Sequence, residues 1–468
     1  MISLFLPLAH GLLIGRQDLP IPAWLFAWGA SLVLIVSFVA LSFAWRDSKL
    51  SEDHWRPVSE GLSRLVTGRA VQFVCGAIGV LLLGTVVYTG LDGTDEPSLN
   101  FAVTFVFVTF WLGVVMLSIL LGDVFRAFNP WRAIARTAGA GFRLIAGQPH
   151  SPPLRYPEQI GRWPAVAGIV GFAWLELVYG VSGLGSLGVR PSTVALATLA
   201  YTAYTLTAMA LFGVEAWLAR GEAFSVYFGM FSQLAPLEAR DGRLGVRRPL
   251  AAATHWARRV PGSIALVITT IAATTFDGAQ EGLWQEPIGD LFDGLKDLGL
   301  EPITAFRTSE SIFFALTFAG VAAIYWVGVR GMRTLRGSPP LRMLGRAFAH
   351  TLIPIGVAYL VAHYFSLVVF AEQAQFSYLL SDPLGNGSDL FGTASSGIDY
   401  GLLSANTIWY VQVAALVTGH VTGLTLAHDR ALTVYGDVDQ ASKSQRWMLL
   451  VMVAFTCLGL FLLSQANA

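Results

Sequence analysis

The sequence predicts an all-α fold, a polytopic bundle of about ten transmembrane helices. Of the 468 residues, 54% are hydrophobic and 13% are charged, whereas a soluble domain carries about 25% charged residues. The mean hydropathy is +0.59. Apolar runs of about 20 residues, the length that crosses a hydrocarbon core of about 30 Å, recur along the chain. We therefore expect a single integral membrane domain over residues 1–468.

Ten segments satisfy this length and composition. The sixth of them is the shortest. The predicted spans are 22–45, 70–90, 100–121, 164–183, 193–213, 261–277, 308–329, 347–371, 406–428 and 446–465.

The distribution of Lys and Arg orients these spans, because loops on the cytoplasmic side keep the positive charge. With the first span running inward, 26 of the 30 basic residues fall in five inner loops. Only Arg16, Arg190, Lys296 and Arg307 fall on the other side. This asymmetry predicts an even number of spans with both termini outside.

The N-terminal run MISLFLPLAH has an apolar core without a basic residue before it, and Pro7 is poorly placed for cleavage after Ala9. A retained N-terminus is therefore favoured over a cleaved signal peptide. Cleavage after Ala9 would instead make His10 the N-terminal residue, whose amine and imidazole together suit a transition metal.

Two inner segments, 122–162 and 214–260, are expected to contain helices that lie on the cytoplasmic membrane surface. In the first, Asn129 is in position to cap a helix that begins at Pro130. The outer loops 277–307 and 372–405 are long, acidic and aromatic. They are expected to cover a membrane-embedded cleft.

The composition argues against several function classes. The formal net charge is zero, with 30 basic and 30 acidic residues, so no basic excess suggests nucleic acid as a partner. The sequence has no Gly-rich phosphate loop. Its two cysteines, Cys75 and Cys457, lie inside apolar runs, where they behave as small hydrophobic residues rather than as a disulfide framework.

Ionisable side chains inside the predicted spans are the candidate functional residues, because such a group costs a few kcal/mol in lipid. Glu176 in the fourth span is either a hydrogen-bonded structural group or a proton acceptor. His363, in the outer half of the eighth span, shares one leaflet with Asp277, Glu281, Glu310, Glu176 and His10. Imidazole and carboxylates together form metal sites that activate water. The predicted acid–base groups are Asp277, Glu281 and Glu176, and the predicted ligands of a divalent metal are His363, His10, Asp277 and His420.

The depth of the other histidines bears on a haem site. His350 lies about 20 Å below His363 on the eighth span, and His428 lies about 12 Å below His420 on the ninth. These unequal spacings disfavour two stacked b-type haems. We expect His350 and His428 to be interfacial residues, with one haem or metal between them as the alternative.

Several long motifs carry a resemblance to a known family. They are LAHGLLIGRQDLPIP, GDVFRAFNPWRA, TTFDG, HTLIPIGVAYLVAHYFS, SDPLGNGSDLFGT and WYVQVAALVTGHVTGLTLAHDRAL. Over nearly its whole length, the chain resembles bacterial integral membrane proteins known as fenitrothion hydrolases. Leu384 and Ser388 depart from the family pattern, in which aromatic residues often stand at these two places.

The resemblance implies hydrolysis of an organophosphorothioate ester, with release of a nitrophenol, by a multi-pass protein of the bacterial cytoplasmic (inner) membrane. The implied partners are membrane lipid, a second related membrane subunit and a small apolar substrate. The polar positions that match the family are His10, Asp277, His350, His363, Asp382, Asp389, His420 and His428.

Two alternative functions stay open from the residues alone. A proton- or metal-coupled transporter would use His363 and Glu176 as proton or cation sites. A haem- or quinone-linked membrane subunit would use the histidines near the inner face.

Overall fold

The computed structural model describes residues 23–50, 54–182, 186–187, 189–256, 260–280, 282–334 and 337–465. Ten principal helices, which we number α1 to α10, form most of this part of the chain. They are α1 (Ala23–Ala44), α2 (Arg69–Asp92), α3 (Phe101–Leu121), α4 (Trp163–Tyr179), α5 (Pro191–Phe212), α6 (Ser263–Gln280), α7 (Pro302–Gly331), α8 (Ile353–Gln375), α9 (Ala405–Tyr435) and α10 (Val438–Gln465). Helices α3 and α4 contain π-helical segments, at Phe105–Gly113 and Leu175–Tyr179.

Shorter helices connect the principal ones. The α-helical connections are Glu60–Thr67, Phe125–Phe128, Pro130–Ala146, Val214–Arg220, Ala223–Phe231, Ala253–Trp256, Gln285–Asp297, Leu341–Phe348 and Tyr378–Ser381. Turns of 3-10 helix are found at Pro97–Leu99, Ser232–Leu234, Met332–Thr334 and Ala349–Leu352.

The described strands are few and short. They are β1 (Arg56–Pro57), β2 (Val181–Ser182), β3 (Ser186–Leu187), β4 (Leu237–Arg240) and β5 (Arg243–Val246). β5 pairs antiparallel with both β1 and β4, and β2 pairs antiparallel with β3. The first sheet therefore hydrogen-bonds two loops, 46–69 and 214–260, that the charge distribution assigns to the same side of the membrane.

Each of the ten predicted spans corresponds to one principal helix, so the prediction of an all-α helix bundle is confirmed. Within the described residues, eight helices are long and apolar enough to cross a membrane, and α4 and α6 are the two principal helices outside this set. Large apolar side chains point outward from the spans. Leu32, Phe73 and Leu81 are 62%, 74% and 69% exposed, as expected for a surface that lipid covers. The placement of both termini outside stays a prediction.

Helix α6 occupies the interior of the bundle, where α4, α7, α8 and α10 contact it. Fifteen of its 18 residues are buried. Its threonine hydroxyls donate to carbonyls one turn earlier, as Thr270 does to Leu266 (3.1 Å) and Thr275 to Ile271 (2.7 Å). The low hydropathy of this segment is therefore compatible with burial, because α6 packs against protein rather than lipid.

Helices α8 and α9 approach each other through glycines. A Cβ atom at Gly419 would lie 2.3 Å from the Cβ atom of Ala358, and one at Gly423 would lie 2.8 Å from the carbonyl oxygen of Thr351. Small residues four apart let two membrane helices pack with their backbones close together. This contact fixes the position of α8, which carries His363 near its middle and follows the 3-10 turn that contains His350.

The helix predicted to begin at Pro130 is present and ends at Ala146. The Asn129 side chain accepts a hydrogen bond from the backbone N–H of Arg132 at 2.8 Å, which confirms the predicted N-cap. Its far end carries strongly exposed apolar residues, Leu144 at 87% and Ile145 at 91%. Its contact with a membrane surface stays a prediction.

Glu215 ties this helix to the next connecting helix, Val214–Arg220. Partial burial works against its ionisation, but three surrounding guanidinium groups hold the pKa of Glu215 below its usual range. They belong to Arg132 (3.3 Å), Arg126 (3.1 Å) and Arg136 (2.8 Å).

The helix Ala223–Phe231 differs from the surface helix predicted for its segment. Seven of its nine residues are buried, and it inserts between α3 and α4. The Glu222 side chain caps it, accepting hydrogen bonds from Phe224 N (3.0 Å), Ser225 N (2.8 Å) and the Tyr201 hydroxyl (2.6 Å). A helix that is apolar on every face is a buried helix, which is why the surface assignment is wrong here.

Candidate functional site

Asp277 is the central residue of a buried polar group formed between α6 and α8. Its Oδ2 atom lies 2.9 Å from His363 Nε2 and accepts a hydrogen bond from the Tyr364 hydroxyl at 2.6 Å. The exposed fractions of Asp277 and Tyr364 are 3% and 6%. His363 and Tyr364 are consecutive residues, so one turn of α8 presents both partners to a single carboxylate.

Gly278 provides the surface on which the His363 ring lies. A Cβ atom at this position would meet His363 Cε1 at 3.4 Å and Nδ1 at 3.6 Å. These are ordinary contact distances, so the edge of the imidazole faces the α6 backbone. The neighbouring Asp277 and Gly278 therefore set both the hydrogen bond and the position of the ring.

Glu176 brings a second carboxyl group within electrostatic range of this pair. It lies in the π-helical segment that ends α4, is half-buried, and is within electrostatic range of Asp277. Segments of π-helix redirect side chains and are common at functional sites. The structure thus brings together two of the three predicted acid–base residues, Asp277 and Glu176.

Tyr227 is a further member that the sequence did not indicate. It is fully buried, stacks on Trp111 with ring centroids 4.3 Å apart, and lies within electrostatic range of Glu176 and Tyr364. Its hydroxyl has no hydrogen-bond partner among the described residues. The nearly continuous apolar run around it, AFSVYFGMF, is the one sequence signal of its burial. We call Glu176, Tyr227, Asp277, His363 and Tyr364 the polar centre.

The predicted metal site is not assembled by the residues that the structure describes. Asp277 and His363 are adjacent, but His420 lies on α9, where its Nδ1 atom is 2.8 Å from the carbonyl oxygen of Leu416. In the described ranges, no three His, Cys, Asp or Glu residues form a group that could hold a metal ion. Two other predicted site residues, His10 and Glu281, lie outside the described residues. Within the described residues, Asp277 and His363 therefore form a hydrogen-bonded pair, and the four-ligand metal site that includes His10 stays a prediction.

His350 and His428 are buried, with exposed fractions of 1% and 0%, so they are not the interfacial residues expected. His428 Nε2 lies 3.0 Å from the carbonyl oxygen of Trp45, in the loop that follows α1. The neighbouring Asp429 binds the same loop, accepting hydrogen bonds from Trp45 Nε1 (3.0 Å) and the Lys49 backbone N–H (2.6 Å). This loop covers the end of α9, which explains the burial of His428.

Asp382 and Asp389 organise the outer loop between α8 and α9. Slight burial opposes ionisation of Asp382, but hydrogen bonds from Ser388 and the backbone at Gly387 and Asn386 lower its pKa. The Ser381 hydroxyl and backbone N–H groups likewise lower the pKa of Asp389. Both carboxylates therefore shape the loop and lie apart from the polar centre.

An apolar cavity of about 800 Å³ lies between α2, α3, α4 and α5. Eleven of its 30 lining residues are aromatic, about three times the share of aromatic residues in the chain, which is 12%. Trp174 and Leu175 line it and directly precede Glu176. The cavity wall and the polar centre thus meet at the π-helical end of α4.

These features define the class of the protein: a helical membrane protein with a carboxylate–imidazole pair enclosed between its spans. No family model, no curated protein and no solved structure matches the chain.

Proposed function

We propose that this protein is a hydrolase of apolar aryl phosphotriesters, embedded in the bacterial cytoplasmic membrane, with His363 as general base. The observation that carries the proposal is the contact between His363 Nε2 and Asp277 Oδ2 at 2.9 Å inside the helix bundle. A carboxylate in this position selects the imidazole tautomer and stabilises the imidazolium that forms when the base takes a proton. The resemblance to fenitrothion hydrolases supports the substrate class.

The proposed reaction consumes one water molecule. With the imidazole proton on Nε2 and donated to Asp277, the lone pair lies on Nδ1, and this assignment of the proton is inferred from the hydrogen bond. Nδ1 takes a proton from water as the water oxygen bonds to phosphorus and the bond from phosphorus to the aryloxide breaks. The proton then passes to the aryloxide, so the products are a phosphodiester and a phenol.

The other members of the polar centre have supporting roles in this proposal. Tyr364 donates to the same oxygen of Asp277, which holds the carboxylate in place. Glu176 is a second proton acceptor beside the pair. Nitrophenolate is a good leaving group, so an activated, oriented water accounts for most of the chemistry.

The aromatic cavity supports an apolar substrate that arrives from the bilayer. Its volume, about 800 Å³, is within the range of about 300–1,000 Å³ typical of small-molecule sites. Aromatic walls suit an aryl ester, because ring contacts contribute beyond the area they bury. We propose that the substrate occupies this cavity and reaches the polar centre past Leu175.

Two histidines on neighbouring helices, the half-buried His363 and the buried His420, give a matched test. The purified protein in lipid nanodiscs is assayed for nitrophenol release from an aryl phosphorothioate, as wild type, His363→Asn and His420→Asn. Loss of a general base typically costs about 10²–10⁴-fold in rate, so we expect this loss for His363→Asn and less than a threefold change for His420→Asn.

Three other results would change the interpretation. Equal loss in both variants, together with a stoichiometric metal in the wild type, would restore the predicted metal site that includes His420. Unchanged rates in both would refute the role of His363. Absence of nitrophenol release from the wild type, alone and with a related membrane subunit, would refute the hydrolase proposal.

A proton-coupled carrier is the second candidate, and irregular helices near the polar centre favour it. Helices α3 and α4 contain π-helical segments, which include Trp111 and Glu176. Transporters commonly place coupling sites at such breaks. In proteoliposomes, substrate-dependent acidification that Asp277→Asn abolishes would support the carrier, and nitrophenol release without proton movement would support the hydrolase.

A further inference from the structure

A smaller pocket of about 260 Å³ lies on the predicted outer side, apart from the polar centre. The connecting helix Gln285–Asp297 forms one wall and the first turns of α7 form the other. Phe292 faces the pocket from the first wall, and Phe306 and Glu310 face it from the second. Neither the resemblance nor the proposed function assigns a role to it.

Glu310 is the ionisable residue that lines this pocket. It is 5% exposed, and its Oε2 atom accepts a hydrogen bond from Gln280 Nε2 at 2.8 Å. The same amide donates to the carbonyl oxygen of Leu177 at 3.1 Å, which fixes its orientation. A carboxyl group buried this deeply is costly to ionise unless a cation accompanies it.

The basic side chains of the two walls have other partners than Glu310. The Lys296 ammonium lies 3.3 Å from Asp293 and 4.7 Å from the centre of the Phe292 ring, and the Arg307 guanidinium stacks on the Tyr179 ring at 3.9 Å. No ion pair joins Glu310 to a Lys or Arg within the part of the chain that the structure describes. A cation that neutralises Glu310 would therefore come from outside these residues.

We propose that this pocket binds a small organic ammonium ion. The positive charge pairs with the Glu310 carboxylate, and the alkyl groups pack against the apolar lining at Ile288, Ile303 and Phe306. Aromatic rings attract cations through their negative faces, and aromatic pockets are a common means of binding alkylammonium groups. The volume is near the lower end of ligand sites, so it admits a compact ion rather than a lipid.

Two compounds of nearly equal shape distinguish the contribution of charge to binding from the contribution of shape. Isothermal titration calorimetry in detergent compares tert-butylammonium chloride with tert-butanol, against a sodium chloride blank. We expect the wild-type protein to bind the ammonium ion at least tenfold more tightly than the alcohol. Equal binding of the two compounds would overturn the proposal. Competition by sodium ions at the same concentration as the ammonium ion would also overturn it, because the site would then not distinguish an organic cation from a metal cation.

Three variants locate the binding. Glu310→Gln removes the charge at constant shape, and Gly289→Leu fills the pocket, because a Cβ atom at Gly289 meets nothing within 4 Å. Gly294→Leu is the matched control, since Gly294 is equally open on the same helix but does not line the pocket.

We expect at least a tenfold loss of ammonium binding in the first two variants and none in the control. Unchanged binding in Gly289→Leu would refute the location even if Glu310→Gln failed to fold. Because the readout is binding rather than nitrophenol release, its outcome is separate from that of the hydrolase proposal.

Discussion

Removing the Tyr364 hydroxyl tests the geometry of the polar centre without opening a cavity. This hydroxyl donates to Asp277 Oδ2 at 2.6 Å in a buried position. A hydrogen bond to a charged group contributes about 1.5–3 kcal/mol to stability. We therefore expect Tyr364→Phe to lower the free energy of unfolding by about 1.5–3 kcal/mol, on this scale.

Two other buried tyrosines provide comparisons with the same atom removed. The Tyr359 hydroxyl donates to the carbonyl oxygen of Phe455 at 2.9 Å, a neutral hydrogen bond worth about 0.5–1.5 kcal/mol. The Tyr227 hydroxyl has no partner among the described residues. Removing a buried, unsatisfied polar group is neutral or stabilising, so Tyr227→Phe should cost no more than about 0.5 kcal/mol.

The assay is unfolding of the purified protein by SDS in mixed micelles, followed by tryptophan fluorescence. We expect the loss of stability to be largest for Tyr364→Phe, intermediate for Tyr359→Phe and smallest for Tyr227→Phe. Equal losses in all three variants, or the largest loss at Tyr227, would refute the placement of these hydroxyls. If Tyr227→Phe keeps its stability but loses activity, the hydroxyl acts on the substrate.

Three further predictions concern packing, pH and topology. Gly419→Leu would place a Cβ atom 2.3 Å from the Ala358 Cβ atom, so it should lower the free energy of unfolding in the SDS assay by at least about 3 kcal/mol. The control is Gly84→Leu, at an exposed site with no atom within 4 Å, which should change this free energy by less than about 1 kcal/mol. Because the folded-state pKa of Asp382 is lowered, its stabilisation of the outer loop is present above the unfolded pKa of about 4 and is lost as pH falls through the folded value. Amide protection factors in 382–394, which are corrected for the intrinsic exchange rate at each pH, should fall at acid pH, and Asp382→Asn should lower them already at pH 7. In a cysteine-free background, a membrane-impermeant maleimide should label Ser395→Cys in intact cells and Ser151→Cys only after permeabilisation, and the reverse order would refute the predicted orientation.

The sequence allowed the pairing of Asp277 with His363 to be anticipated, because depth along two spans places both side chains in one leaflet. Depth does not say which helices are neighbours. His420 was grouped with His363 as a metal ligand, yet the structure places it beside Leu416 on its own helix. Helical periodicity predicts the depth of a residue in the membrane and the helix face that carries it. The partners of Asp277 and His363 depend on the packing of α6 against α8, which periodicity does not predict.

The interior helices were the hardest elements to assign from pattern alone. The charged segment before Ala223–Phe231 favours a surface helix there, whereas the almost continuous apolarity of the helix itself is typical of a buried one. The sequence does not single out Tyr227 for the same reason. The hydroxyl of a tyrosine on an interfacial helix contacts water and needs no partner in the protein, whereas a buried hydroxyl does.

Helices α4 and α6 are the two principal helices that are not long and apolar enough to count as membrane spans, and they carry the two carboxyl groups of the polar centre. This coincidence has a physical basis. A helix that faces lipid must keep its surface apolar and its backbone hydrogen bonds complete. A helix enclosed by other helices is free of both constraints, so α6 can carry Asp277 among its threonines and α4 can end in the π-helical segment that presents Glu176. A segment that is short or only moderately apolar, flanked by strong spans, is therefore a positive indicator of the functional interior, and the shortest predicted span is the one that carries Asp277.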